Sequence, residues 1–145
     1  VRRLDGAPAR IVFGALLLLW CVGIFVLSSQ SDPEDYVGVP FRLNDKVAHG
    51  VAYAVGGVFA AGAFGFLSDR RRIGAAIAFC GLWGVSDEWH QSFVPGRSAS
   101  GADLAADVVG ASVGGLAFAL LASRAQAPRR SVDESDKREE ARGRT

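Results

Sequence analysis

The apolar residues of this chain come in blocks, not at the spacing of an amphipathic surface, and that distribution limits what it can fold into more than any other feature. Four blocks, Ile11 to Leu27, Val47 to Leu67, Ile73 to about Phe93 and Leu104 to Ala122, hold most of them. Each has roughly the 20 residues that a helix rising about 1.5 Å per residue needs to cross a hydrocarbon core of about 30 Å. With 145 residues, 50% of them apolar, the chain is one domain's worth, and lipid is its expected solvent. The pattern predicts an all-α, polytopic membrane protein: a four-helix transmembrane bundle with helices at about 11–28, 47–67, 73–93 and 104–123.

The net charge of +1 matters less than where the charges sit. Arg2, Arg3 and Arg10 precede the first block, Arg70, Arg71 and Arg72 separate the second from the third, and Arg124, Arg129 and Arg130 follow the fourth. The only basic residues of segments 28–46 and 91–103 are Arg42, Lys46 and Arg97. The positive-inside rule therefore places both termini in the cytoplasm and these two segments outside a plasma membrane. Residues 1–10 are expected as a cytoplasmic segment, 11–123 as the transmembrane domain, and 124–145, charged and nearly free of apolar residues, as a disordered cytoplasmic tail.

The first block is too long for a usual signal core, and "VLSSQS" after it is a poor small-x-small cleavage site, so an uncleaved anchor is expected. Segment 28–46 reads as an external loop lying on the membrane. Cys21 and Cys80 fall near mid-membrane, where they act as small apolar fillers and not as a disulfide or zinc framework.

Against this background the stretch "GVSDEWHQSFVPGRSASGADLAAD", Gly84 to Asp107, is anomalous. Only 14 uncharged residues, Ile73 to Ser86, separate Arg72 from Asp87 and Glu88, about 21 Å of helix, so the acid pair begins below the outer surface. Sixteen uncharged residues separate Asp107 from Arg124, about 24 Å, which puts Asp107 at a similar depth. His49, 20 residues before Asp69, comes out close to the outer interface.

Helical phase gathers these groups. Asp45, His49 and Tyr53 share one face of the second helix, Asp87 shares a face with His90 and Gln91 on the third, and Asp103, Asp107, Gly110 and Gly114 form one stripe on the fourth. Gly110 and Gly114 also make a GxxxG pattern that allows close backbone approach. An unpaired acid in a bilayer costs at least about 2.5 kcal/mol, so these groups must pair, neutralise or line a wet cavity. Lys46, His49, His90 and Arg97 are the available counter-charges, and a pair between Arg97 and Glu88 or Asp87 is expected across the Pro95–Gly96 turn.

The strings "DKVAHGVAY" (Asp45 to Tyr53), "SSQS" at the end of the first helix, and "GVSDEWHQSFVPGR" followed by "DLAADVVG" resemble the signature of the VanZ-like family. There an Asp-Lys-x-x-His motif opens one helix, Asp-Glu-x-x-Gln closes the next, and a Gly-Arg turn leads to an Asp-x-x-x-Asn-x-x-Gly helix. The resemblance covers about residues 11 to 122. It implies a small polytopic protein of the bacterial envelope, from a family named for members that lower susceptibility to teicoplanin, and it implies no established reaction. Asp107 stands where the family pattern more often has Asn.

Plainer roles exist for each group. Asp45, Lys46 and His49 can be a helix cap with interface charges; Asp87 and Glu88 can be members of a structural ion pair with Arg97 or Lys46. His90 beside Trp89 can belong to an interfacial belt, Gly96 is the turn residue after Pro95, and Tyr53 and Gln91 can hydrogen-bond between helices. Trp20 and Trp83 read as packing residues.

Three function classes fit. The first is an envelope protein that binds a lipid, a lipid-linked cell-wall precursor or a glycopeptide antibiotic, with Lys46, His49, Gln91, Arg97, Asp103 and Asp107 as the ligand-binding set. The second is an outer-leaflet enzyme acting on a lipid headgroup, with Asp45, His49, Asp87 and Glu88 as candidates for acid–base work. The third is a transporter or proton relay, disfavoured because no polar group is expected on the cytoplasmic half of any helix. No HExxH-type spacing is present and no metal ligand or cofactor is assigned. The carboxylates suggest a divalent cation among Asp87, Glu88 and Asp103, and the two histidines, His49 and His90, with several carboxylates could also ligate zinc. Basic residues border membrane helices and flank no stacking aromatics, so nucleic acid is not an expected partner.

Overall fold

A computed structural model describes residues 6–31 and 45–126. Most of the expected external loop (residues 32–44), residues 1–5 and the tail beyond 126 lie outside the described residues, as does the side chain of Asp45. The described chain is all-helical: α1 (Ala7–Ser28), α2 (Asp45–Ala63), α3 (Asp69–Gln91) and α4 (Gly101–Gln126). Pro8 sits in the first turn of α1, where its missing N–H has no intrahelical partner to lose. At the other end of α1 the Ser29 backbone N–H and hydroxyl both donate to the Phe25 carbonyl, closing the helix.

α2 and α4 form the most extensive contact, and α1 packs on α2 and α3. Running along α4, residues 50 and 54 of α2 meet residues 110 and 114 in the same order, so these helices are parallel. α1 meets α2 in reverse, Phe13 beside Gly62 and Trp20 beside Gly56, and α3 meets α4 in reverse, Gly84 beside Asp107 and Arg72 under Phe118. The chain thus passes back and forth four times.

The α2–α4 seam depends on residues with little or no side chain. A Cβ on Gly110 would fall into the Gly50 carbonyl, and one on Gly114 into the carbonyl of Ala54. This is the close approach that a GxxxG face allows, and it compensates for the lack of any hydrophobic drive between helices in lipid. Aromatic rings seal the α1 side: Phe13 sits edge-on to Phe118 at 5.2 Å and Trp20 edge-on to Tyr53 at 5.1 Å. Trp20 Nε1 also donates to the Ala52 carbonyl at 2.9 Å. Cys21 and Cys80 are buried free thiols in this packing.

The polarity of the bundle is reversed relative to a water-soluble one. Leu18 is 70% exposed and Leu82 72%, while Asp107 is 0% and Asp103 5% exposed. A monomeric soluble protein rarely presents so continuous an apolar exterior, and buried acids beneath an apolar shell are the arrangement expected in lipid. α1 and α4 are each long and apolar enough to cross a membrane; α3 carries three arginines in its first turn and two acids in its last.

Two sequence expectations need correction. The second helix ends at Ala63, not Leu67, and α3 starts at Asp69, so Arg70 to Arg72 lie in a helical turn and not in a connection. Arg72 is consequently buried at the end of the bundle remote from the acids. It donates to the Gly65 carbonyl at 3.2 Å and lies over the Phe118 ring, 5.8 Å from its centroid. The arginine-rich end of the helices therefore does contain a polar group.

Candidate functional site

The last turns of α3 and the first turns of α2 and α4 meet at one end of the bundle, where Asp87, Glu88, Asp103 and Asp107 each have a different partner. On α3 the buried positions Arg72, Ala76, Cys80, Gly84, Asp87, Glu88 and Gln91 follow a single helical face. That face carries Glu88 toward α4, where its Oε2 accepts the backbone N–H of Ser100. Ser100 Oγ in turn accepts the N–H of Asp103 at 3.3 Å. A carboxylate from a neighbouring helix thus completes the cap of α4, at the end where the helix dipole favours negative charge.

Lys46 of α2 forms an ion pair with Asp103 of α4. One turn deeper, His49 Nδ1 lies 2.9 Å from Asp107 Oδ1. With the carboxylate ionised it can only accept, so Nδ1 carries a proton. Asp107 is fully buried, and its Oδ2 has no hydrogen-bond partner among the described residues. It faces Gly84: a Cβ there would lie 2.8 Å from Oδ2 and 3.1 Å from Leu104 Cδ1. Gly84 is therefore a site residue that sequence reasoning missed, since its role is to leave room for an acid on another helix. The Tyr53 ring lies parallel to that of His49 with centroids 6.5 Å apart. Its buried hydroxyl has no partner among the described residues, so it makes no interhelical hydrogen bond there.

Arg97 does not meet Glu88 or Asp87, contrary to expectation. Arg97 Nη2 donates to Gln91 Oε1 at 2.8 Å, and Gln91 Nε2 donates to Asp87 Oδ2 at 2.9 Å. Gln91 thus bonds within α3 and to the turn, not across helices. Pro95 and Gly96 make a type II turn closed by Arg97 N–H to the Val94 carbonyl at 3.1 Å, with Gly96 at φ 81° as the left-handed position requires. The turn brings the chain back so that Ser100, not Arg97, faces Glu88. Among the described residues the Arg97 guanidinium makes no ion pair.

Asp87 also lines a cleft of about 350 Å³ whose walls are Phe25, Trp83, Ser86, Trp89, His90 and Phe93. His90 Nε2 lies 3.0 Å from Ser29 Oγ. Because the Ser29 hydroxyl donates to Phe25 O at 2.6 Å, the imidazole N–H is the donor. Asp87 therefore faces the cleft and Gln91, and His49 takes the place expected for Asp87 beside Glu88 and Asp103. Ligand atoms of His49, Glu88 and Asp103 all lie within 4.8 Å of one another. Asp45 opens α2 above this cluster.

An all-helical bundle with an apolar exterior and buried charge concentrated at one end defines a helical membrane protein with a polar site. More narrowly, the chain belongs to the VanZ/LLP1 family, whose sequence profile matches residues 13–122. The match begins in α1, ends in α4 and contains every residue of the site just described. No curated protein and no solved structure matches the chain.

Proposed function

We propose that this VanZ-like protein is a multi-pass plasma-membrane protein with four spans and cytoplasmic termini. In this reading its charged end opens to the extracytoplasmic side and binds a lipid, or lipid-linked cell-wall precursor, through a phosphate-bearing headgroup. The observation that carries the reading is Arg97: a guanidinium held by a neutral amide instead of a carboxylate, linked through Gln91 to Asp87 on the wall of an aromatic cleft. A phosphate on Arg97 would gain charge-assisted, bidentate contact, while the cleft offers apolar cover to the attached chain. Shielding such a lipid from a lipid-bearing glycopeptide would connect the site to teicoplanin resistance.

The test is native mass spectrometry of the full chain released from vesicles containing phosphatidylglycerol and diacylglycerol with identical acyl chains. Selective retention of the phosphorylated lipid, reduced about 10- to 100-fold by Arg97→Gln, is expected, since bonds to a charged group contribute about 1.5–3 kcal/mol. Equal retention of both lipids, or indifference to Arg97→Gln, would refute it. In cells, raised teicoplanin tolerance with the wild-type chain and its loss with Arg97→Gln at equal expression would extend the reading to resistance.

A second reading rests on the buried His49–Asp107 pair, which has the arrangement of a base and its orienting carboxylate. It makes the protein an outer-leaflet enzyme acting on a lipid headgroup. A change in mass of the retained lipid with time, abolished by His49→Gln, would favour it over binding alone.

A further inference from the structure

We propose that His49, Glu88 and Asp103 form a site for one first-row divalent metal ion of the Zn2+ class. This does not rest on the lipid reading. The three side chains come from three helices, and their ligand atoms lie within 4.8 Å of one another. Shifts of about 1 Å bring them to the separations of a tetrahedral site with bonds of about 2.1 Å.

Three observations distinguish this cluster from a chance gathering of acids. Glu88 is 7% exposed, and its Oε1 is buried without a hydrogen-bond partner among the described residues while Oε2 is fixed by Ser100 N–H. One oxygen is anchored and the other is left to a ligand. Asp107 holds His49 through Nδ1, the carboxylate–imidazole arrangement that orients Nε2 toward a metal and raises its basicity. Charge points the same way among the described residues: Glu88, Asp103 and Asp107 lie around His49, and the one fixed cation paired with them is Lys46, on Asp103. An imidazole among the ligands favours a transition metal over Mg2+ or Ca2+. The sequence suggested Glu88 and Asp103 as cation ligands; that His49 and not Asp87 joins them could not be read from spacing, because each helix contributes a single ligand.

Lys46 is central to the test. It pairs with Asp103 and so competes with the metal for that carboxylate. Tag-free full chain in detergent is titrated with Zn2+ by calorimetry, with Mg2+ in parallel. The expected result is one saturable Zn2+ per chain and no comparable Mg2+ binding. Glu88→Gln, which keeps an acceptor for Ser100, should weaken Zn2+ binding about 100-fold. Lys46→Gln, at a partly exposed position, should tighten it about tenfold by removing a competing unit charge. Zn2+ absorption spectra should show nitrogen and oxygen ligands only. No saturable binding in either the wild type or Lys46→Gln would overturn the proposal, as would unchanged affinity in folded Glu88→Gln or sulfur scattering from Cys21 or Cys80.

Discussion

Replacing His49 with alanine should cost more stability than replacing it together with the charge of its partner. Asp107 is fully buried, its Oδ2 has no partner among the described residues, and its Oδ1 lies 2.9 Å from His49 Nδ1. His49→Ala therefore strands a carboxylate beneath an apolar shell, and breaking a buried pair in this way costs about 3–5 kcal/mol. Asp107→Asn keeps an acceptor oxygen for Nδ1–H and removes the charge, so alone it should cost about 1 kcal/mol or less. In the double variant the stranded group is a neutral amide, whose burial unpaired costs about 1–3 kcal/mol. Adding Asp107→Asn to His49→Ala should thus restore about 2 kcal/mol, a sizeable share of a total stability of about 5–15 kcal/mol. The assay is reversible unfolding in mixed micelles by increasing SDS, followed by fluorescence of the three tryptophans. A loss under about 1 kcal/mol for His49→Ala, or a double variant no more stable than that single one, would show that Asp107 is not held as a buried charge by His49.

Other expectations follow from the same packing. Gly110→Ala and Gly114→Ala should each destabilise by about 1–3 kcal/mol or more, because the added methyl meets backbone of α2. Gly14→Ala and Gly74→Ala, with open space at both positions, should be neutral or stabilising by up to about 1 kcal/mol in the same assay. Gly84→Ala should displace Asp107 Oδ2 and so reduce the coupling measured between His49 and Asp107. Glu88→Ala frees the Ser100 N–H and should speed hydrogen exchange in the first turn of α4 about fivefold, as expected for a cap contributing about 1 kcal/mol, while leaving the middle of α1 unchanged. Equal exchange in both segments would show that Glu88 does not cap α4.

The helices were legible because their blocks have membrane length, and the faces were legible because helical period does not depend on partners. Asp103, Asp107, Gly110 and Gly114 lie four, three and four residues apart and are all buried against α2 or α3. Pairing across helices was not legible. Equal depth put Arg97 near the acids, but the direction of its side chain depends on a turn whose return path the sequence does not encode as a distance. Ser100 and Gly84 escaped notice because one acts through its backbone N–H and the other through an absent Cβ. Arg72 was misplaced because three consecutive arginines read as a connection. In the fold the third of them lies on the buried face of α3, where its Nη2 donates to the Gly65 carbonyl and its guanidinium lies over the Phe118 ring.

The orientation of the charged end is tested most directly by labelling intact cells with a membrane-impermeant maleimide, using Ser98→Cys and Arg124→Cys in a chain whose two buried cysteines are replaced by alanine. Ser98 is exposed in the turn beside Arg97 and Arg124 is exposed in the last turns of α4, at opposite ends of the bundle. Labelling of Ser98→Cys is expected in intact cells, and of Arg124→Cys only after permeabilisation. The reverse pattern would place the polar site in the cytoplasm and contradict the proposed function.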